Sequence, residues 1–283
     1  MKNIKKLAAL LITAILSASP LCSCSGKQVP KNSKELRVTF FDVKKADAMV
    51  LQSETGTVVI DCGEKGDGKK IANLLKESDT KKIDYLIITH FDRDHVGGAA
   101  KVINSFEIDN VLVPDYHSTI DEYDKFCTVA EERGLEITRL REDVSFTLDD
   151  VDFTVYSCKK DFYGDDDEND FSLVTKAVHH KNTLLFTGDA MEQRLDEIMD
   201  IGECTLLKVP YHGRKLDNLG DFLDAVKPKC AVVCTASNEF ASKTQKALTE
   251  RKITTYATCF NGDITAVSDG SSIKMSVSKG NAL

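Results

Sequence analysis

Two kinds of hydrophobic pattern follow each other along the chain from residue 36 onward. Short runs of continuous or alternating apolar residues predict strands, and longer stretches with apolar residues every three or four positions predict helices. The predicted strands cover 36–43, 48–53, 57–63, 83–90, 108–114, 136–140, 144–148, 151–157, 204–209, 229–235, 253–257, 262–268 and 272–278, with a hairpin over 171–190. The predicted helices cover 68–78, 97–106, 120–134, 190–200, 216–226 and 239–251. This order favours a pair of mixed sheets covered by helices, an α+β fold.

The first 35 residues lack this pattern and have the composition of a targeting segment. Three lysines precede the apolar run LAALLITAIL at 7–16, which is shorter than the roughly 20 residues of a membrane span. Residues 1–23 are therefore predicted to be a secretory signal peptide. The following LCSC at 21–24 is similar to the lipobox of bacterial lipoproteins, with Cys24 as the lipidated residue; an ordinary signal peptide is the alternative. We expect an exported protein, lipid-anchored to the outer face of the cell membrane, with a flexible tether over 24–35 and one domain over 36–283.

Charge and cysteine content narrow the classes of partner. Without residues 1–23, three lysines fewer leave 34 basic against 45 acidic residues, a net charge of −11. Such a surface disfavours non-specific nucleic-acid binding, which depends on counterion release, although a local basic patch remains compatible with it. Seven cysteines follow Cys24, with wide spacings and no CxxC pair, which favours mostly buried free thiols over a zinc ribbon. The acidic stretch 159–170 is expected to be a solvated loop.

The segment THFDRDHVGG at 89–98 concentrates metal-type side chains directly after a predicted buried strand. These side chains are His90, Asp92, Asp94 and His95. They cannot share one side of a strand, but they converge if the strand ends and the chain turns into a helix, a turn that we expect the glycine pair at 97–98 to allow. Imidazole and carboxylate are ligands of divalent transition metals. A metal site is therefore favoured over a polar loop.

These residues resemble the HxHxDH signature of the metallo-β-lactamase superfamily, in the form found in the ComEC family of DNA-uptake competence proteins. Further segments that are similar to that family, in the same order, are FFDVKKADAMVLQ, VVIDCG, NDFSLV, LLFTGDA, LKVPYHGRK and TTYATCFNGDITAVSDG. The resemblance spans nearly all of 36–278. It implies a metallo-β-lactamase-like four-layer αββα sandwich that holds two divalent metal ions, zinc or manganese.

Carried over position by position, the resemblance implies two metal sites. The first would comprise His90, Asp92 and Asp189, and the second Asp94, His95, Asp189 and His212. Asp189 would bridge the metals, Asp94 would also orient the attacking hydroxide as the catalytic residue, and Asp61 would be a structural acid beneath the site. Asp92 in place of an imidazole makes the first site harder, which favours manganese or a zinc–manganese pair over two zinc ions.

The hairpin over 171–190 predicts which residues lie beside Asp189. With a turn near 180–182, Asp189 faces residues 172–173. The candidates for an extra ligand or a substrate contact are Asn169, Asp170 and Ser172, of which Asp170 has the best ligand type. His179 and His180 lie about 30 Å away at ~3.3 Å per residue, so both are expected to be turn residues. His117 faces either the cleft or, as we favour, the solvent.

Departures from the family pattern bear on the substrate. Lys44-Lys45-Ala46 stand where the family has Gly-Gln-Gly, so we expect this loop to lack the same close backbone approach. Tyr211 replaces a frequent histidine, and Arg214 stands where a small serine is usual. The candidate phosphate contacts at the rim are Lys44, Lys45, Lys208 and Arg214; solvated charge is the alternative for each.

The resemblance implies a binuclear metal-dependent hydrolase that uses a metal-bridging hydroxide, with a phosphodiesterase or nuclease as the leading expectation. The expected partners are a phosphodiester substrate, with DNA as a candidate, and the membrane through the lipid anchor; no protein partner is predicted. The membrane channel and nucleic-acid-binding module of ComEC have no counterpart here, so a role in DNA uptake itself is not expected. A hydrolase of a lactone, thioester or β-lactam is disfavoured by the missing second histidine. A non-catalytic surface module is disfavoured because all six ligands are present.

Overall fold

The computed structural model describes residues 34–164 and 168–283. The signal peptide, Cys24 and most of the tether lie outside the described residues. The strands are β1 (Leu36–Phe40), β2 (Ala48–Gln52), β3 (Thr57–Cys62), β4 (Lys82–Ile87), β5 (Glu107–Pro114), β6 (Ile137–Leu140), β7 (Val144–Leu148), β8 (Val151–Tyr156), β9 (Val174–His179), β10 (Asn182–Phe186), β11 (Leu206–Lys208), β12 (Cys230–Val233), β13 (Thr254–Ala257), β14 (Ile264–Ser268) and β15 (Ile273–Val277). The helices are α1 (Gly68–Glu77), α2 (Arg93–Val96), α3 (Ala99–Ile103), α4 (Asp121–Glu132), α5 (Glu192–Glu197), α6 (Leu219–Val226), α7 (Ser242–Glu250) and α8 (Thr258–Asn261).

The strands form two mixed sheets. The first sheet has the order β15-β14-β1-β2-β3-β4-β5-β6, and the second sheet has the order β13-β12-β11-β10-β9-β8-β7. Strands β2 and β3 are buried along their whole length, which is typical of strands covered on both faces. Parallel pairing of β3, β4 and β5 and of β10 to β13 requires crossovers, and each of these contains at least one helix.

Three apolar cores separate four layers. One core lies between the two sheets and includes Phe40, Ile60 and Phe186. A second joins the first sheet to α1, α3 and α4, and a third joins the second sheet to α5, α6 and α7. The predicted αββα sandwich is thereby confirmed. Within the described ranges, none of the helices has the length and apolar composition needed to cross a membrane.

Most predicted elements are present, with ends that differ by a few residues, but one predicted helix is divided into two short helices. The predicted helix 97–106 is replaced by α2 and α3, and α2 begins four residues earlier than expected. Helix α8 was not predicted. The seven cysteines in the described part of the chain are free thiols; Cys62, Cys204 and Cys234 are buried, and the other four are partly buried.

Candidate metal centre

The ligand loop turns immediately after β4, before the glycine pair. Asp92 has extended backbone angles (φ −61°, ψ 149°) and precedes α2, so α2 itself carries the next two candidate ligands. The chain is already helical from Arg93, so the ligands converge before the expected turn, which does lie between α2 and α3 at Gly97 and Gly98. Their role is close packing: a Cβ on Gly98 would lie 2.1 Å from the carbonyl oxygen of Cys62, and one on Gly97 would lie 2.4 Å from that of Arg93.

Five of the six predicted ligands come together in overlapping clusters, and Asp92 lies at their edge beside His90. Donor atoms of His90, His95 and Asp189 lie within 4.8 Å of one another, and so do those of Asp94, His95 and His212. Asp189 Oδ2 is 2.8 Å from His212 Nε2 and 3.4 Å from His95 Nε2. Asp92 is the most exposed of the six, and its Oδ2 is 3.7 Å from His90 Nε2.

The donor set fits divalent cations. The Nε2 atoms of His90, His95 and His212 are buried and have no hydrogen-bond partner. A buried polar atom without a hydrogen bond costs about 1–3 kcal/mol. Two of these three atoms lie beside Asp189 Oδ2 without a hydrogen bond to it, so a common ligand would satisfy all three. Imidazole nitrogens and carboxylate oxygens are what zinc and manganese accept.

Each of these histidines is oriented through its other ring nitrogen. His95 Nδ1 lies 2.8 Å from Asp61 Oδ2, and Thr89 donates to the same carboxylate from its N–H (2.8 Å) and its hydroxyl (2.7 Å). His90 Nδ1 lies 3.1 Å from Thr89 Oγ1, and His212 Nδ1 donates to the carbonyl of Cys234 at 3.0 Å. The Nε2 atoms therefore face the centre, as in metal sites whose outer contacts fix the ring orientation. Asp61 lies in the position beneath the site that the sequence implied.

Electrostatics couple the residues of the centre tightly. Burial alone would raise the pKa of Asp189, but two histidines and Lys208 hold it well below its usual range. Burial opposes protonation of His212, yet Asp189 and Asp94 raise its pKa to about 9. For His95, Asp189 and Asp61 likewise overcome burial and raise the pKa. The carboxylates thus need positive charge, and an arriving metal ion would displace protons from the histidines.

Lys208 is not at the rim. It is fully buried, it pairs with the carboxylate of Asp47, and its Nζ donates to the carbonyl of Gly188 at 2.7 Å. Asp189 Oδ1 is 3.4 Å away, so Lys208 neutralises carboxylates beneath the centre rather than binding substrate. Asp47 is a residue of the centre that the sequence reasoning missed, although it lies within the family-like opening segment. Its Oδ1 is 3.5 Å from His212 Nδ1.

The extra-ligand candidates have other roles in the structure. Asp170 Oδ1 accepts hydrogen bonds from the N–H groups of Met191 (2.8 Å) and Arg194 (3.1 Å) at the start of α5. Asp170 thus caps α5 through Oδ1 and is not part of the ligand clusters found among the described residues, so its role as an extra ligand stays a prediction. Ser172 Oγ accepts from the Asp189 N–H at 3.0 Å and positions that ligand. Asn169 Oδ1 is buried without a hydrogen-bond partner.

Two of the four predicted rim cations, Lys45 and Arg214, lie beside residues of the centre; we call this side of the centre the mouth. Lys45 Nζ is 3.1 Å from Asp94 Oδ2, and Arg214 lies with its Cζ 5.1 Å from the ring centroid of Tyr211 while its Nε donates to Glu239 at 2.6 Å. Lys44 is exposed and adopts a φ of 63°, so this loop keeps the left-handed conformation that glycine favours.

The remaining histidines are away from the centre. His117 is exposed, with Nδ1 3.1 Å from the Tyr123 hydroxyl. His179 and His180 lie at the turn between β9 and β10, where Asn182 pairs with His179. That register places Asp189 opposite residue 172, as the hairpin predicts.

Sequence comparison finds distant relatives of this chain among known proteins. The chain is 25% identical over 230 residues to "ComE operon protein 3" of Bacillus subtilis (74% of this chain, 29% of that protein). It is 24% identical over 206 residues to "Recombination protein 2" of Haemophilus influenzae (70% of this chain, 24% of that protein). The chain thus spans less than a third of the length of either relative.

Solved structures share the fold. The metallo-beta-lactamase fold protein YhfI from Bacillus subtilis superposes with a TM-score of 0.55 at 12% identity, covering 80% of this chain and 96% of YhfI. A putative metal-dependent hydrolase from Parabacteroides distasonis gives 0.52 at 12% identity, covering 78% of this chain and 92% of that chain. Residues 42–237 match the sequence profile of the family described as "Metallo-beta-lactamase superfamily". The chain belongs to the metallo-β-lactamase superfamily.

Proposed function

We propose that the protein is a binuclear metal-dependent phosphodiesterase, with DNA as the leading substrate. The observation that carries the proposal is the cluster of three buried histidine Nε2 atoms that make no hydrogen bond, close to Asp189 and to the cation of Lys45. A mouth with Lys45 and Arg214 suits an anionic phosphodiester better than a neutral lactone or thioester. The name of one relative, a recombination protein, supports a nucleic-acid substrate.

The six predicted ligands would be divided between two cations, with Asp189 shared by both. His90, Asp92 and Asp189 would hold one cation, and Asp94, His95, Asp189 and His212 the other. Two bound divalent cations would lower the pKa of a water molecule and stabilise charge on the phosphoryl oxygens.

Asp94 would orient the nucleophile as a proton acceptor. Burial would raise its pKa, but His212 and His95 lower it, so the carboxylate is ionised. Lys45 Nζ, 3.1 Å from Asp94 Oδ2, would place positive charge where a non-bridging phosphate oxygen arrives. Arg214 would hold the substrate from the Tyr211 side of the mouth.

Activity of the full chain with added zinc or manganese tests this function. We expect cleavage of bis-nitrophenyl phosphate and of single- or double-stranded DNA, and no cleavage of nitrocefin. Asp94→Ala and His212→Ala should abolish it. Lys45→Met should raise KM more than it lowers kcat, whereas Lys274→Met, which removes an exposed lysine on β15, should change neither. Cleavage of nitrocefin or a lactone without phosphodiester cleavage would contradict the phosphodiester assignment, and a chain without metal uptake would contradict both hydrolase functions.

We also propose that the chain acts at the outer face of the membrane, anchored through a lipid on Cys24. The supporting feature is the LCSC segment after a short apolar run. We expect labelled palmitate to be incorporated into the wild-type chain and not into Cys24→Ala, and the variant to leave the membrane fraction. Equal labelling of both chains would contradict the anchor.

A further inference from the structure

A second cluster of metal-type side chains lies at the far end of the hairpin that carries Asp189. Asp150, His179 and His180 offer donor atoms that all lie within 4.8 Å of one another. His179 ends β9, His180 begins the turn to β10, and Asp150 lies in the turn between β7 and β8. His180 precedes Asp189 by nine residues, which places the cluster up to about 30 Å from the metal centre at ~3.3 Å per residue.

Backbone conformation brings the two neighbouring histidines to the same side. Successive side chains of a strand point to opposite faces. His180, however, has a φ of 55°, and the two ring centroids lie 4.9 Å apart. Gly270, in the hairpin between β14 and β15, packs so closely that a Cβ there would lie 2.4 Å from His180 Cδ2. The pairing of Val151 with His179 puts Asp150 beside this turn.

The donor atoms are arranged for a shared ligand. His179 Nε2 is buried and has no hydrogen-bond partner, and it is 3.6 Å from Asp150 Oδ1. His180 Nε2 is 2.9 Å from Asp150 Oδ2. Ligands about 2.0–2.2 Å from a tetrahedral zinc ion lie ~3.3 Å from one another, which is close to these separations. His179 Nδ1 lies 2.8 Å from Ser268 Oγ, an outer contact of the kind that metal-binding histidines make.

We propose that Asp150, His179 and His180 bind a divalent transition metal ion, with zinc as the best match to two imidazoles and one carboxylate. Water would complete the coordination, because the His180 side chain is 53% exposed and that of Asp150 is 34% exposed. The ion would join the β7–β8 turn to the β9–β10 hairpin and, through Ser268, to β14 of the first sheet. Its site is structural and independent of the proposed phosphodiesterase function.

Metal content of the full chain, measured by mass spectrometry after dialysis against zinc, tests this site. We expect His180→Ala and Asp150→Ala to hold one ion fewer per chain than the wild type, with phosphodiester cleavage unchanged. His117→Ala is the matched control, because it also removes an exposed imidazole but should retain every ion.

This experiment distinguishes a failure of the proposed distal metal site from a failure of the proposed catalytic centre. An ion that persists in the Asp94→Ala/His212→Ala chain and disappears when His180→Ala is added supports the distal site, whatever the activity. Equal metal content in the wild type and in His180→Ala would overturn the distal site. It would mean that Asp150 and the two histidines only share protons.

Discussion

Replacement of Lys208 by methionine would reveal how the centre tolerates its buried carboxylates. Lys208→Met keeps an unbranched side chain of similar length and removes only the ammonium group. In the native chain this group pairs with Asp47, donates to the Gly188 carbonyl and lies 3.4 Å from Asp189 Oδ1. After the substitution, Asp47 is a fully buried carboxylate without its cation.

The expected loss of stability follows from these contacts. Removal of one partner from a buried ion pair costs about 3–5 kcal/mol, because the other charge is left uncompensated. At an effective dielectric constant of ~20, unit charges 3.4 Å apart attract by about 5 kcal/mol, so Asp189 is also affected. Part of this is offset because the lysine no longer has to be desolvated. We therefore expect Lys208→Met to lower the free energy of unfolding of the metal-free chain by about 3–5 kcal/mol.

Urea unfolding followed by circular dichroism measures this change. The Asp47→Asn/Lys208→Met double variant should lose less than the sum of the single variants, with a coupling energy on the order of 1–3 kcal/mol. Lys274→Met serves as the exposed control, with an expected change within about 0.5 kcal/mol. A Lys208→Met chain that is as stable as the wild type, with only the KM for substrate raised, would refute the buried ion pair with Asp47. It would support a position of Lys208 at the rim of the site. Strictly additive single and double variants would refute direct contact with Asp47.

Three further substitutions test the surroundings of the centre and one distant turn. Gly188→Ala should destabilise the chain by about 1–3 kcal/mol, since Gly188 has a φ of 52° and a Cβ there would lie 2.9 Å from Thr89 Cβ; an unchanged urea midpoint would contradict this. Asp61→Asn should weaken metal affinity about 10–100-fold in a chelator competition, because it removes the carboxylate that orients His95; unaltered affinity would count against that role. Burial would raise the pKa of Asp149, but hydrogen bonds from the turn at residues 53–56 lower it from 3.8, so its stabilisation is complete above the unfolded-state pKa and is lost as pH falls through the folded-state pKa. The difference in unfolding free energy between wild type and Asp149→Asn should therefore shrink from pH 7 towards pH 3, and a pH-independent difference would argue against it.

Local patterns predicted the parts of the site that depend on short stretches of chain. The hairpin register follows from a two-residue turn and a repeat of two, so the pairing of Asp189 with residue 172 could be worked out in advance. The ligand loop could be recognised because its four candidate ligands fall within six consecutive positions, 90–95. The position of the helix start could not, since Asp92 precedes α2 without a capping hydrogen bond from its own side chain. The glycine pair does form a turn, and it is also required by close contact with the end of β3 and the loop after it.

The remaining differences between the sequence predictions and the structure concern side chains whose contact partners lie far away in the sequence. Lysine is almost never fully buried unless it is paired, so a rim position for Lys208 was the reasonable expectation. Its partner Asp47 lies directly before β2 of the first sheet and is 161 residues away along the chain. Asp170 has the right chemistry for a ligand and for a helix cap, and the helix that it caps begins 22 residues later. Neither partnership leaves a local signal in the sequence.

The centre is assembled from both sheets, and this explains its need for cations. Asp61 lies in β3 of the first sheet and Asp47 directly before β2, whereas Lys208 ends β11 of the second sheet and Asp189 lies three residues after β10. Packing the two sheets together therefore brings buried carboxylates against one another, a repulsion that Lys208 offsets only in part. Divalent ions between Asp94, Asp189 and the histidines would supply the missing charge and would join the two sheets. Left-handed backbone conformations at Asp61, Tyr211 and His212 are strained for these residues, and such strain persists where the surrounding structure enforces it. The same contacts that make the metal-free centre costly thus hold its ligands ready for the metals.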